Sequence, residues 1–311
     1  MKRLALLIAV ACGAAFAAHS QETYKYAQKD TSALFLDVYR AAEGSETTLQ
    51  GKPKPTIVFV FGGGFVMGER SDQWYLNWFR TFNEHGYTLV TIDYRLGMKG
   101  YKVKNGLRGT IQASEQFYLS QQMGVEDLFS AISFLDDNKV ELGIDPGNIV
   151  LTGNSAGAII SLAAEYDILC GRAQGLPEGF NFKGIMAFAG AIISLKGAPD
   201  FPAAPCPLLL MHGTADKAVA YDHYGVMGRG LWGSSYLAEN LAKKGYHYSI
   251  YRYKDRTHDV AAYVETLWDL EEDFIENDVI LGRSRTIDAM VDDPGLPTWG
   301  DISLDSIYRK K

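Results

Sequence analysis

Ser155 stands at the centre of Gly153-Asn154-Ser155-Ala156-Gly157, between a β-branched apolar run at 149–152 and an apolar stretch of helical character. A sharp strand-to-helix turn strains its central residue, and flanking glycines let neighbouring chains approach where a Cβ would collide. The same turn lifts the serine hydroxyl above a sheet, where the helix start aims free N–H groups and a positive dipole end. Glycines also serve tight packing and serines cap helices, so the five-residue string alone is weak. Its strand-turn-helix setting makes it strong, and the chemistry it suits is hydroxyl attack on a carbonyl. That attack requires donors for the developing oxyanion, each typically worth ~10²–10³ in rate. Gly62-Gly63-Gly64, directly after a second buried run at 56–61, presents bare N–H groups; Gly63 and Gly64 with Ala156 are the candidate donors.

A serine is a poor nucleophile at neutral pH without a base, and the base is oriented by an acid. In this architecture the chain order is serine, acid, histidine. Of the six histidines, only His258, in Asp255-Arg256-Thr257-His258-Asp259, lies in a loop between a late strand and a helix. His19 falls in the N-terminal apolar segment, His85 and His212 come early in their units, and His223 and His247 sit in a polar insertion and a strand. The candidate acid is Asp216, just beyond the buried run 207–211, 61 residues after Ser155 and 42 before His258. Asp222 and Asp255 are its rivals. An acid in this role stays ionised to hold the imidazole.

These residues need elements to carry them. Buried or alternating strands are predicted at 34–39, 56–61, 88–94, 149–152, 184–189, 207–211 and 246–253, with helices at 74–84, 125–142, 155–166, 235–244 and 260–273. Gly143 stops the second helix, and Asp145-Pro146-Gly147-Asn148 is turn chemistry. Residues 44–55 read as a loop and 97–122 as a polar insertion over one sheet edge. Strands alternating with helices predict an α/β fold, a mainly parallel central sheet with helices on both faces, with loop insertions forming a small cap. There is no internal repeat, so one catalytic domain over 21–279 is expected, followed by a less patterned tail at 280–311.

Phe61 to Phe65, the Asp93-Tyr94-Arg95 strand end, Asp145 to Ile149, the serine turn and His212-Gly213-Thr214-Ala215-Asp216 together resemble the α/β-hydrolase superfamily, most of all its carboxylesterase and hormone-sensitive-lipase-like branch. The resemblance runs from about 24 to 270. It implies Ser155 as nucleophile, His258 as general base and acid, Asp216 as orienting acid, and Gly63, Gly64 and Ala156 as oxyanion donors, with no cofactor. Two positions depart from the pattern. Phe61 replaces the histidine that usually precedes the glycines, so loop anchoring must differ. Asn154 replaces a frequent Asp, with little expected consequence because this side chain points away from the nucleophile. A serine esterase acting through an acyl-enzyme is therefore expected, with a small-molecule or carbohydrate ester as substrate; acetyl or feruloyl esters of plant polysaccharide are the class suggested by analogy. A prolyl-oligopeptidase-like peptidase, an acyltransferase and a non-catalytic binding module on the same fold remain alternatives. Trp74, Tyr75, Trp78 and Phe79 are expected mainly in the core. Tyr221, Tyr224 and Trp232 are better candidates to contact a ring, and His212 with Asp216 lacks a partner at metal-ligand spacing.

Composition bounds the rest. The 311 residues are 47% hydrophobic and 22% charged, ordinary for a globular chain, and the net charge of −7 with scattered basic residues argues against nucleic acid as a partner. Lys2 and Arg3, an apolar run, and small residues to about 20 read as a secretory signal, which predicts a periplasmic or secreted protein. Its removal after Ala17 or Ser20 takes the charge to −9. Ala9-Val10-Ala11-Cys12 is a loose lipoprotein motif, the second reading of that segment. No later stretch is apolar for the ~18 residues of a membrane helix. Cys170 and Cys206 can pair or remain thiols.

Overall fold

The computed structural model describes residues 21–300 and Tyr308. The segment read as a secretory signal, Cys12 included, lies outside the described residues. In chain order the elements are β1 (Gln21–Lys29), β2 (Ser32–Tyr39), the short pair β3 (Thr48–Leu49) and β4 (Lys52–Pro53), β5 (Thr56–Val60), α1 (Leu76–Glu84), β6 (Leu89–Ile92), α2 (Gly106–Asp137), α3 (Lys139–Leu142), β7 (Ile149–Asn154) and α4 (Ala156–Leu169). They continue with β8 (Gly184–Phe188), β9 (Ala191–Ser194), β10 (Leu208–Gly213), β11 (His223–Val226), β12 (Arg229–Gly233), α5 (Ser234–Lys243), β13 (Ser249–Tyr253), α6 (Trp268–Asp273) and β14 (Ile287–Val291).

Nine strands form one sheet in the order β1-β2-β6-β5-β7-β8-β10-β13-β14. The first two pairings, β1 with β2 and β2 with β6, are antiparallel, and the rest are parallel. Every residue of β5, β7, β8 and β10 is buried, as strands covered on both faces must be, which explains their continuous apolar spelling. The helix after β7, α4, is apolar nearly all round because it is wedged between the sheet and α2. At that crossing a Cβ on Gly124 would sit 2.4 Å from the Ile160 methyl, so glycine sets the helix separation.

Several expectations are corrected. Residues 97–122 are not an irregular insertion: from Gly106 they are the first half of α2, which runs unbroken to Asp137. The predicted helix at 125–142 is its second half plus α3, closed by Gly143 at φ 61°. The first half carries no clear stripe because it faces the small three-stranded sheet β11-β12-β9 across a cleft rather than the main sheet. That small sheet, with the first half of α2, takes the place expected for the loop-built cap. The helix predicted at 260–273 is instead a 3₁₀ turn at His258–Ala262, a partly buried turn, and α6. Within residues 280–311, β14 pairs parallel to β13, Ile287 opposite Ser249 through Val291 opposite Tyr253, as the last strand of the sheet. Arg252 on β13 clamps Asp288 on β14 through Nε and Nη2 at 2.6 and 2.9 Å.

Candidate active site

Ser155 lies between β7 and α4 with φ 51° and ψ −116°, a conformation that side-chain-bearing residues rarely hold. The turn is over-determined by its neighbours. The Ser155 N–H donates to the Phe188 carbonyl at 2.8 Å, and a Cβ on Gly157 would meet the Val60 carbonyl oxygen at 1.9 Å. Only glycine lets α4 start this close to β5, and that closeness carries the strained serine over the C-terminal edge of the sheet.

His258 begins the 3₁₀ turn after β13 and is buried. Its Nε2 is 2.8 Å from Ser155 Oγ and its Nδ1 2.7 Å from Asp216 Oδ2. A carboxylate can only accept, so Nδ1 carries the proton and Nε2 is free to accept from the serine hydroxyl. Asp216, just beyond β10, is itself held: its Oδ1 accepts from the N–H groups of Ala218 at 2.8 Å and Val219 at 2.9 Å. Burial pushes the Asp216 carboxyl up, but hydrogen bonds from His212 and His258, with their positive charge when protonated, outweigh it and hold it well below the usual carboxylate range. The rivals do not reach the histidine: Asp222 is exposed and pairs with His223, and Asp255 is exposed at φ 56°.

The structure thus brings Ser155, Asp216 and His258 together. Gly64 and Ala156 line the same cavity, while Gly63 stands one residue back, in a turn whose carbonyl accepts from Val66 and Met67. The loop anchoring altered by Phe61 is now visible. The Phe61 ring stacks on Tyr94 with centroids 4.5 Å apart, and the Tyr94 hydroxyl donates to the carbonyls of Phe61 and Gly62 at 3.0 and 3.3 Å. The Asn154 side chain is not idle: its Nδ2 donates to the Ala261 carbonyl at 2.8 Å, tying the end of β7 to the turn that carries His258.

Two residues at the site escaped sequence reasoning. His212 is fully buried on β10, with Nε2 3.3 Å from Asp216 Oδ2 and 3.1 Å from the Val219 carbonyl, and Nδ1 2.9 Å from Ser234 Oγ. Both partners of Nε2 only accept, so it carries the proton and braces Asp216 at Oδ2, the oxygen that His258 also reaches. The signal was in the sequence, since Gly213 and Asp216 beside it were already in view; its partner Ser234 was not. Tyr308 lines the cavity and its hydroxyl donates to the Gly64 carbonyl, a contact 244 residues apart in sequence that no local pattern announces. Of the aromatic candidates, Trp78 and Phe79 are core, Tyr75 hydrogen-bonds Asn154, and Trp74 is exposed against Trp299. Tyr224 lines an outer cleft, whereas Trp232 is buried and Tyr221 packs on His212 and meets Arg252. Cys170 and Cys206 are unpaired thiols.

A parallel sheet whose central strand ends in a strained serine, followed in the chain by an acid and a histidine at successive strand ends, defines an α/β hydrolase. Sequence comparison agrees: the Carboxylesterase family matches residues 12–165 and the Phospholipase/Carboxylesterase family residues 108–231. The chain is thus similar to the carboxylesterase-like α/β hydrolases across residues 12–231. It is 33% identical over 107 residues to Gut esterase 1 of Caenorhabditis briggsae, covering 34% of this chain and 17% of that protein. It is 32% identical over 168 residues to Secreted lipase 5 of Gibberella zeae, covering 51% of this chain and 26% of that protein. The chain thus spans about a quarter or less of the length of these curated relatives. Apo esterase 2 of Thermogutta terrifontis shares the fold, with a TM-score of 0.58, 21% identity, and coverage of 84% of this chain and 96% of that one.

Proposed function

We propose that this protein hydrolyses carboxylic esters with a small acyl group, through an acyl-enzyme on Ser155. The observation that carries the reading is the unbroken relay from Ser155 Oγ to His258 Nε2 at 2.8 Å and from His258 Nδ1 to Asp216 at 2.7 Å, opening into a cavity of about 30 Å³. Ser155 Oγ bonds to the ester carbonyl carbon as His258 Nε2 takes the hydroxyl proton. The carbonyl electrons move onto oxygen, for which the N–H groups of Gly63, Gly64 and Ala156 are the proposed donors; Gly64 and Ala156 line the cavity. The intermediate collapses, the C–O bond to the alcohol breaks, and His258 returns the proton to the leaving oxygen. Water then attacks the acyl-serine with the same base, and the acid departs as Ser155 regains its proton. Asp216 keeps the Nδ1–H tautomer and stabilises the imidazolium.

The size of the cavity supports acetyl over feruloyl as the acyl group. The segment at residues 1–20 supports export, so the reaction is proposed for the periplasm or the cell exterior. Turnover of p-nitrophenyl acetate, alkyl acetates, and acetylated and feruloylated oligosaccharides by wild type beside Ser155→Ala tests the reading. Wild type is expected to release acetate with the variant down by at least ~10³-fold. Release of no acyl group by wild type would leave the binding-module reading, and transfer to an added alcohol in preference to water would indicate an acyltransferase.

A further inference from the structure

Two cavities meet behind the nucleophile. The chamber around Ser155 and His258 measures about 30 Å³, and the outer cleft between α2 and the β11-β12 hairpin about 200 Å³. Phe117 from α2, Leu231 from β12, and Tyr308 line both, so these three side chains are the wall between them. Tyr308 is pinned at two ends. Its ring meets the Phe117 ring edge-on, centroids 5.0 Å apart and planes at 86°, and its hydroxyl donates to the Gly64 carbonyl beside the oxyanion donors. An aromatic ring held by packing on one side and a hydrogen bond at its tip is a rigid partition. Beyond it the cleft is walled mainly by apolar groups, Val103, Ala113 and Val226 among them, with Thr110, Ser114 and Arg229 also in its lining, a space of the kind that binds hydrocarbon.

We propose that Tyr308 is the specificity-determining residue of this site, closing the acyl chamber against the apolar cleft and so restricting the enzyme to short acyl groups. The inference rests on the ester-hydrolase reading above. In this proposal the chamber holds the acyl group, which stays bonded to Ser155 after the alcohol has left, so the partition would act on the acyl side. A longer acyl chain must displace the Tyr308 ring and break its bond to Gly64. With alanine at 308, chamber and cleft become one apolar slot.

The test is kcat/KM on p-nitrophenyl acetate, butyrate and octanoate for wild type, Tyr308→Ala and Tyr308→Phe. Wild type is expected to favour acetate; Tyr308→Ala is expected to raise the octanoate-to-acetate ratio at least about tenfold, a modest share of what fitted methylenes can contribute. Tyr308→Phe, which keeps the ring, is expected to keep the wild-type ratio. On acetates of increasing alcohol length, Tyr308→Ala and wild type are expected to show the same profile. An unchanged octanoate-to-acetate ratio in folded Tyr308→Ala, or a change confined to the alcohol series, would overturn the proposal. Should circular dichroism show that Tyr308→Ala does not fold, Leu231→Ala opens the same wall from β12 and takes the same test with the same outcomes. Labelling of Ser155 by methyl- and octylphosphonates reads the chamber without turnover. Labelling that favours methyl in wild type, and shifts toward octyl in the variant, supports the partition even if no ester is hydrolysed; failure to label at all sinks both readings.

Discussion

Asp216 accepts from two backbone N–H groups and from the imidazoles of His258 and His212, and this fixes what each change at the site should do. His212→Phe removes one donor from a buried carboxylate, so its depressed titration should move up. The sign follows from linkage. A carboxyl held below its unfolded value of roughly 3.9 adds stability above that pH and loses it as pH falls through the folded value. His212→Phe should therefore be less stable than wild type at pH 7 by about 1–3 kcal/mol, with the gap narrowing below about pH 4, read by urea unfolding at both pH values. Its kcat should fall with KM little changed, since His212 acts through Asp216 rather than on substrate. Ser155, Asp216 and His258 were legible because each carries a local signature: a glycine-flanked turn, a strand end, a loop after a late strand. His212 was legible only as part of a string, because its meaning depends on Ser234 and Asp216 closing around it in space. Tyr308 left no local mark.

At the scale of elements, the sheet does the positioning. Ser155, Asp216 and His258 follow β7, β10 and β13, whose parallel C-terminal ends bring residues far apart in sequence to one edge. Asn154 then ties the end of β7 to the His258 turn through the Ala261 carbonyl. Asn154→Asp replaces that donor with an acceptor facing a carbonyl, and should cost about 1–3 kcal/mol of stability as well as activity, measured by thermal unfolding alongside kcat. Truncation before Ile287 removes β14 and leaves β13 as a bare edge with Arg252 deprived of Asp288; it should lower Tm and soluble yield, measured beside full-length protein. The strands buried on both faces were readable from their apolar spelling. β14 alternates half-buried and exposed residues over only five positions, and the β11-β12 hairpin is glycine-rich, so neither stood out. The first half of α2 was misread because it borders a cleft, where a helix has no reason to show a full apolar stripe.

In the molecule as a whole, several buried acids lie outside the chemistry, Glu271 among them. Glu271 on α6 is fully buried and accepts only from the Trp78 indole, at 3.2 and 3.1 Å to its two oxygens; burial pushes its carboxyl well up despite that bond. An acid whose folded value is raised costs stability as pH climbs from its unfolded value toward the folded one. Glu271→Gln should thus unfold at higher urea than wild type at pH 8, but not at pH 4. The central claim is that Ser155 carries the acyl group. Mixing the protein with p-nitrophenyl acetate, quenching in acid within the first turnover and mapping peptides by mass spectrometry tests it most directly. An acetyl group on the peptide containing Ser155, absent from Ser155→Ala and accumulating with a burst of p-nitrophenol, is the expected result. Acetylation at another residue, or full turnover by Ser155→Ala, would contradict it.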